Sequence, residues 1–196
     1  MCSPMKIATW LLIAVSTLVL QGCFTLAASG IGAAVMMVDD RRSTGIYIED
    51  ENIEWKARAH LIDRFRDGHV NVTSFNLSVL LTGEVPSEQM KKDIEQSIRG
   101  IASVKNVTNE LAVAGNASLA SRSSDSLVTT STKARFINNG KFSTNHVKVV
   151  TESGTVFLLG IVTRAEGDAA AELARTTSGV GRVVKVFEYL EPPPKP

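Results

Sequence analysis

HVNVTSFNLSVLLTGEV, residues 69–85, and HVKVVTESGTVFLLGIV, residues 146–162, align without a gap at a spacing of 77. They share His, Val, Val, Val, Gly and Val at matching places, a degree of agreement that marks an internal repeat. Upstream, Ile53, Ala57 and Leu61 match Val128, Thr132 and Phe136 at a spacing of 75. Downstream, VKNV from Val104 matches VGRV from Val180 at a spacing of 76. The chain therefore holds two modules that differ by small loop changes.

Each module is read by its period. Apolar residues every four positions, Ile53-Ala57-Leu61 and Val128-Thr132-Phe136, predict an amphipathic helix at the start of each copy. Val70-Asn71-Val72 alternates and NLSVLLTG is rich in strand formers, while TSFN and TESG supply turn residues, so a hairpin follows. Pro86-Ser87-Glu88 opens a second helix to about Arg99, with Ile94 and Ile98 on one face and Gly100 at its end. Its counterpart runs from Ala165 to about Thr176 and stops near Gly179. A last strand, Val104 to Val113 or Val180 to Leu190, completes α-β-β-α-β. The fold class is α+β, two helices on one face of a three-stranded mixed sheet, twice over.

The order of helix, V.V....G.V.L.G.V, helix and V..V resembles the BON domain of bacterial envelope proteins, and the resemblance covers both repeats. It implies domains at 46–114 and 125–191, a linker at 115–124 and a Pro-rich tail at 192–196. It further implies binding of anionic phospholipid, support of outer-membrane integrity and association with the outer-membrane protein assembly machinery.

The N-terminus bears on location. Lys6 precedes an uncharged run from Ile7 to Leu20, the layout of a signal peptide over residues 1–22. That run is short for a membrane-spanning helix. Leu20-Gln21-Gly22-Cys23 resembles the lipobox of bacterial lipoproteins, in which the cysteine is acylated and becomes the new N-terminus. Of the two cysteines, Cys2 lies in the segment to be removed, so the mature chain keeps Cys23 alone and makes no internal disulfide. Residues 23–45, apolar from Phe24 to Val38 and then DDRRSTG, are expected to form a flexible lipidated tether.

Composition excludes several classes. At 44% hydrophobic and 21% charged the chain is globular. Removing the signal peptide leaves 20 basic and 20 acidic residues, so no field suited to nucleic acid exists. No G-x-S-x-G elbow, H-E-x-x-H or phosphate loop is present, and neither catalysis nor a cofactor is expected. His69 and His146 begin equivalent strands, yet no cysteine or clustered carboxylate completes a ligand set in sequence, so no metal site is expected. Gly83 and Gly160 are expected to serve backbone geometry or close approach.

Lipid contact is placed by charge and helix phase. Asp50 to Gly115 sums to −2 and Arg122 to Glu191 to +2, making the second module the better partner for an anionic leaflet. If Val128, Thr132 and Phe136 face the core, Leu127 turns about 100° away, onto a stripe with Ser131 and Arg135. The family resemblance places the lipid-facing surface on this helix, so Leu127, Ser131, Lys133 and Arg135 are the expected lipid-binding residues. The alternative role for the same patch is a protein–protein adaptor in the assembly machinery.

Overall fold

A computed structural model describes residues 39–115 and 117–190. Cys23, the signal peptide, most of the tether and the Pro-rich tail lie outside the described residues. The first module comprises α1 (Thr44–Arg64), β1 (His69–Phe75), β2 (Ser78–Val85), α2 (Glu88–Arg99), β3 (Asn106–Asn109) and β4 (Ala112–Val113). The second comprises α3 (Leu119–Ile137), a 3-10 turn (Thr144–His146), β5 (Val147–Glu152), β6 (Thr155–Val162), α4 (Arg164–Arg175) and β7 (Arg182–Tyr189). In each sheet the second hairpin strand is central. β2 pairs antiparallel with β1 and parallel with β3 and β4. β6 likewise pairs antiparallel with β5 and parallel with β7.

The helices begin where side-chain oxygens accept their first free N–H groups, Ser43 for α1, Ser87 for α2, Ser118 for α3 and Thr163 for α4. They pack one face of each sheet. Ile53, Ala57, Leu61, Ile94 and Ile98 close on Val79, Leu81 and Val85 in the first module. Val128, Phe136, Ala170 and Ala174 close on Val156, Leu158 and Val162 in the second.

The other face of each sheet is also buried, which explains why β6 reads as a nearly unbroken hydrophobic run, while on β2 that face carries Leu80 with buried Thr82 and Glu84. Leu80 and Phe75 meet Phe157, Leu159 and Ile161 in a third cluster drawn from both modules. The layers therefore run helix, sheet, sheet, helix. Around this seam Lys148 Nζ donates to Glu54 Oε1 at 3.0 Å, and Asn71 Nδ2 donates to Glu152 Oε2 at 2.7 Å.

Three expectations are corrected. The segment DDRRSTG does not stay a free lead. Arg41 donates to the carbonyl of Ile161 at 2.8 Å and to both oxygens of Glu166, and Arg42 pairs with Asp50 at 2.9 Å. The linker expected at 115–124 is helical in its second half, because α3 starts at Leu119. Ser126 and Thr130 hydroxyls bond carbonyls one turn back, and Asp125 is fixed by the hairpin turn it serves. Finally, the last strand of the first module is split in two. Asn109 Oδ1 accepts the Leu111 N–H at 3.2 Å, turning Leu111 into the core between β3 and β4.

Candidate functional site

Helix α3 presents the residues expected to meet lipid. Its core stripe is as the period required, with Val128, Thr132 and Phe136 buried, while Leu127, one position away, is 69% exposed. Ser131 and Lys133 are exposed too. Leu127 and Ser131 lie about 40° apart around the helix, but Lys133 projects about 120° from Leu127, so the four residues do not form one cluster. Arg135 is half-buried and occupied. Its Nη1 donates to the Leu173 carbonyl at 2.9 Å and Thr177 Oγ1 at 3.0 Å, and its Nη2 to Thr176 Oγ1 at 2.9 Å. A cation on the final carbonyls of α4 opposes the negative end of that helix. Leu119 and Ile137, exposed near the two ends of α3, add apolar surface that the sequence reading did not single out.

A second exposed apolar line runs along α1. Ile48, Trp55 and Ile62 are 55%, 73% and 69% exposed, on the side away from Ile53, Ala57 and Leu61. The signal for it in sequence is a seven-residue recurrence beside the four-residue core period.

The two histidines differ. His146 lies near Glu166, at 3.8 Å. His69 meets carboxylates that sequence reasoning did not bring together. Its Nδ1 lies 3.3 Å from Glu84 Oε2, near enough for ion pairing but not aligned as a hydrogen bond. Glu152, from the other module, completes a group whose ligand-type atoms all lie within 4.8 Å of one another. Both carboxylates already accept hydrogen bonds, Glu84 from Ser153 Oγ and the Ala117 N–H, Glu152 from Asn71 and Thr82. The group thus forms a polar seam between the sheets in which both carboxylates are hydrogen-bonded and buried His69 Nδ1 has no hydrogen-bond partner.

Gly83 and Gly160 hold the two strands of each hairpin close. A Cβ at Gly83 would lie 2.0 Å from the His69 carbonyl oxygen, and one at Gly160 2.3 Å from that of His146. Neither glycine has room for a side chain, so the shared glycine of the repeat is a packing requirement.

No helix among the described residues is long and apolar enough to cross a membrane. Residues 49–115 and 124–191 each match the BON domain. The outer membrane lipoprotein DolP of Haemophilus influenzae is 39% identical over 96% of this chain and 98% of its own length. The 21 kDa hemolysin of Actinobacillus pleuropneumoniae is 33% identical over 78% of this chain and 80% of its own. Osmotically-inducible protein Y of Escherichia coli is 30% identical over 71% of this chain and 72% of its own.

Proposed function

The chain belongs to the BON-domain family and is an outer-membrane lipoprotein, and on that premise we propose that it is a non-catalytic protein that binds anionic phospholipid through its second module and so supports outer-membrane integrity. In this reading Cys23 carries the acyl anchor, and Leu127 with Ser131, one turn along α3, meets the leaflet. Arg135 contributes by fixing α3 on α4 and adds positive charge beside that face.

One observation carries the reading most. A leucine 69% exposed sits next to a valine 5% exposed, so α3 offers water an apolar side chain that its own core does not need. Single exposed leucines are common. The +2 balance of this module and the family resemblance are what direct this one toward an anionic surface. Flotation of the chain from residue 23, carrying Cys23→Ser so that no acyl anchor contributes, tests it. Binding that rises with phosphatidylglycerol content supports lipid recognition. Indifference to lipid, with retained binding to the assembly machinery, assigns the patch to a protein partner instead.

A further inference from the structure

We propose that α1 of the first module is a second membrane-contact element, its Ile48-Trp55-Ile62 line entering the interface of an anionic phospholipid surface. Seven residues fall about 20° short of two helical turns, so the three side chains form one stripe along the helix. All three are more than half exposed, while Ile53, Ala57 and Leu61 on the opposite side are buried. Two isoleucines and an indole on one solvent face exceed the scattered apolar residues of an ordinary surface.

The charges beside the stripe say what covers it. Beside the line from Ile48 to Ile62 the exposed ionic residues are Lys56, Arg58 and Arg66 against Glu51 and Asp63, a small basic excess. Arg58 is paired with Glu54 yet remains 61% exposed. Long basic side chains flanking an apolar line extend to phosphates while their stems lie along hydrocarbon. Tryptophan is the residue that settles at the headgroup level.

Position in the chain adds to this. Among the described residues α1 is the first element, and its cap Ser43 stands twenty residues after Cys23 in sequence. The inference rests on the lipid anchoring at Cys23. Anchoring makes further contact with the leaflet an intramolecular event, so a modest stripe suffices.

The protein carries its own reporter. Its two tryptophans are Trp10 and Trp55, and Trp10 lies in the signal peptide, so the processed chain fluoresces from Trp55 alone. The acylated protein from Cys23 is reconstituted into phosphatidylcholine vesicles with or without phosphatidylglycerol, and with brominated acyl chains as quencher. The expected result is a blue shift and strong quenching of Trp55 in the anionic vesicles. In the unacylated Cys23→Ser form, Trp55→Glu and Ile62→Glu should each lower affinity for those vesicles about tenfold while thermal unfolding stays as in the parent. Quenching that persists in Leu127→Glu separates this contact from that of α3. Loss of Trp55 quenching in Leu127→Glu would show that α1 has no lipid contact of its own. Water-like, unquenched emission on anionic vesicles overturns the proposal. Equal quenching in purely neutral vesicles overturns its anionic part. A blue shift that grows with protein concentration without lipid assigns the stripe to a second copy and overturns it as well.

Discussion

Asp50 Oδ1 accepts the backbone N–H of Leu77 at 2.8 Å, and Leu77 holds a left-handed φ of 66° at the tip of the first hairpin. In the second module Asp125 Oδ1 accepts the N–H of Gly154 at 2.9 Å, and Gly154 has a φ of 71°. A carboxylate on the opening helix thus latches the turn of the following hairpin in both copies. Where the second module uses glycine, the first uses a leucine, whose left-handed backbone costs roughly 1–2 kcal/mol. Burial of that side chain in the core offsets the strain.

Asp50→Ala should destabilise the protein more than Asp125→Ala. Asp50 also accepts from Ser74 Oγ at 2.7 Å and from the Asn76 N–H at 2.8 Å, and it pairs with Arg42 in a nearly closed site. Its removal takes a carboxylate partner from the Arg42 guanidinium and leaves three donors without their acceptor, a loss of about 3–5 kcal/mol. Asp125 serves two N–H groups, Ser153 and Gly154, and its loss should cost about 2–3 kcal/mol. Denaturant midpoints of the two variants check the order, and a reversed order would contradict the latch.

Gly160→Ala and Gly83→Ala should each lower stability by about 1–3 kcal/mol, a drop of several degrees in melting temperature for a chain of this length. The new methyl would meet a carbonyl oxygen, at 2.3 Å in the second module and 2.0 Å in the first, and the strands must part to admit it. Gly83 has a φ of 114° as well, so Gly83→Ala should be the worse of the two. Equal, unchanged melting would mean that the strands separate without strain.

Much of this architecture was legible because it depends on local period. The four-residue spacing of Ile53, Ala57 and Leu61 set the core side of α1, and that of Val128, Thr132 and Phe136 set the core side of α3. What was not legible depends on partners distant in sequence. Leu80 and Phe157 share a cluster across the modules, and nothing in a single strand's pattern tells a face buried by a helix from one buried by another sheet. Arg135 looked like a free cation on an exposed stripe, but its partners lie on and just beyond α4. Glu84 stands opposite His69 by the register of the first hairpin, and Glu152 joins them only because the two hairpins face each other.

Acid should weaken the grip of the N-terminal lead on the second module. Arg41 donates to both oxygens of Glu166, and this pairing, assisted by the Thr163 N–H, lowers the Glu166 pKa from 4.5 to about 2. The folded value lies below the unfolded one, so the stabilisation is complete above pH 4.5 and is lost as pH falls toward 2. Arg41→Ala should therefore cost roughly 1 kcal/mol at neutral pH after allowance for solvent screening, with the difference from the parent closing at the acid end of that window. A difference that stays constant down to the acid limit would separate Arg41 from the Glu166 titration.

Leu127 and Val128 set the strictest test of the α3 reading, because adjacent residues are assigned opposite roles. Leu127 is 69% exposed, so Leu127→Glu should leave thermal unfolding within about 0.5 kcal/mol of the parent. Transfer of a leucine side chain into acyl chains contributes roughly 1.5–3 kcal/mol, so the same change should lower affinity for anionic vesicles at least tenfold. Val128 is 5% exposed, and a Cβ added at Gly179 would lie 2.8 Å from its Cγ2, so there is no space beside it for a larger group. Val128→Glu should place an unpaired carboxylate in the core and unfold the second module before any effect on binding is measured. Circular dichroism melts and vesicle flotation of the two variants, read together, give four possible outcomes. Unfolding by Leu127→Glu with tolerance of Val128→Glu would reverse the helix phase. A folded Leu127→Glu that floats with anionic vesicles as well as the parent would move the lipid contact off α3, leaving the Ile48-Trp55-Ile62 stripe of α1 as the remaining exposed apolar line of this length among the described helices.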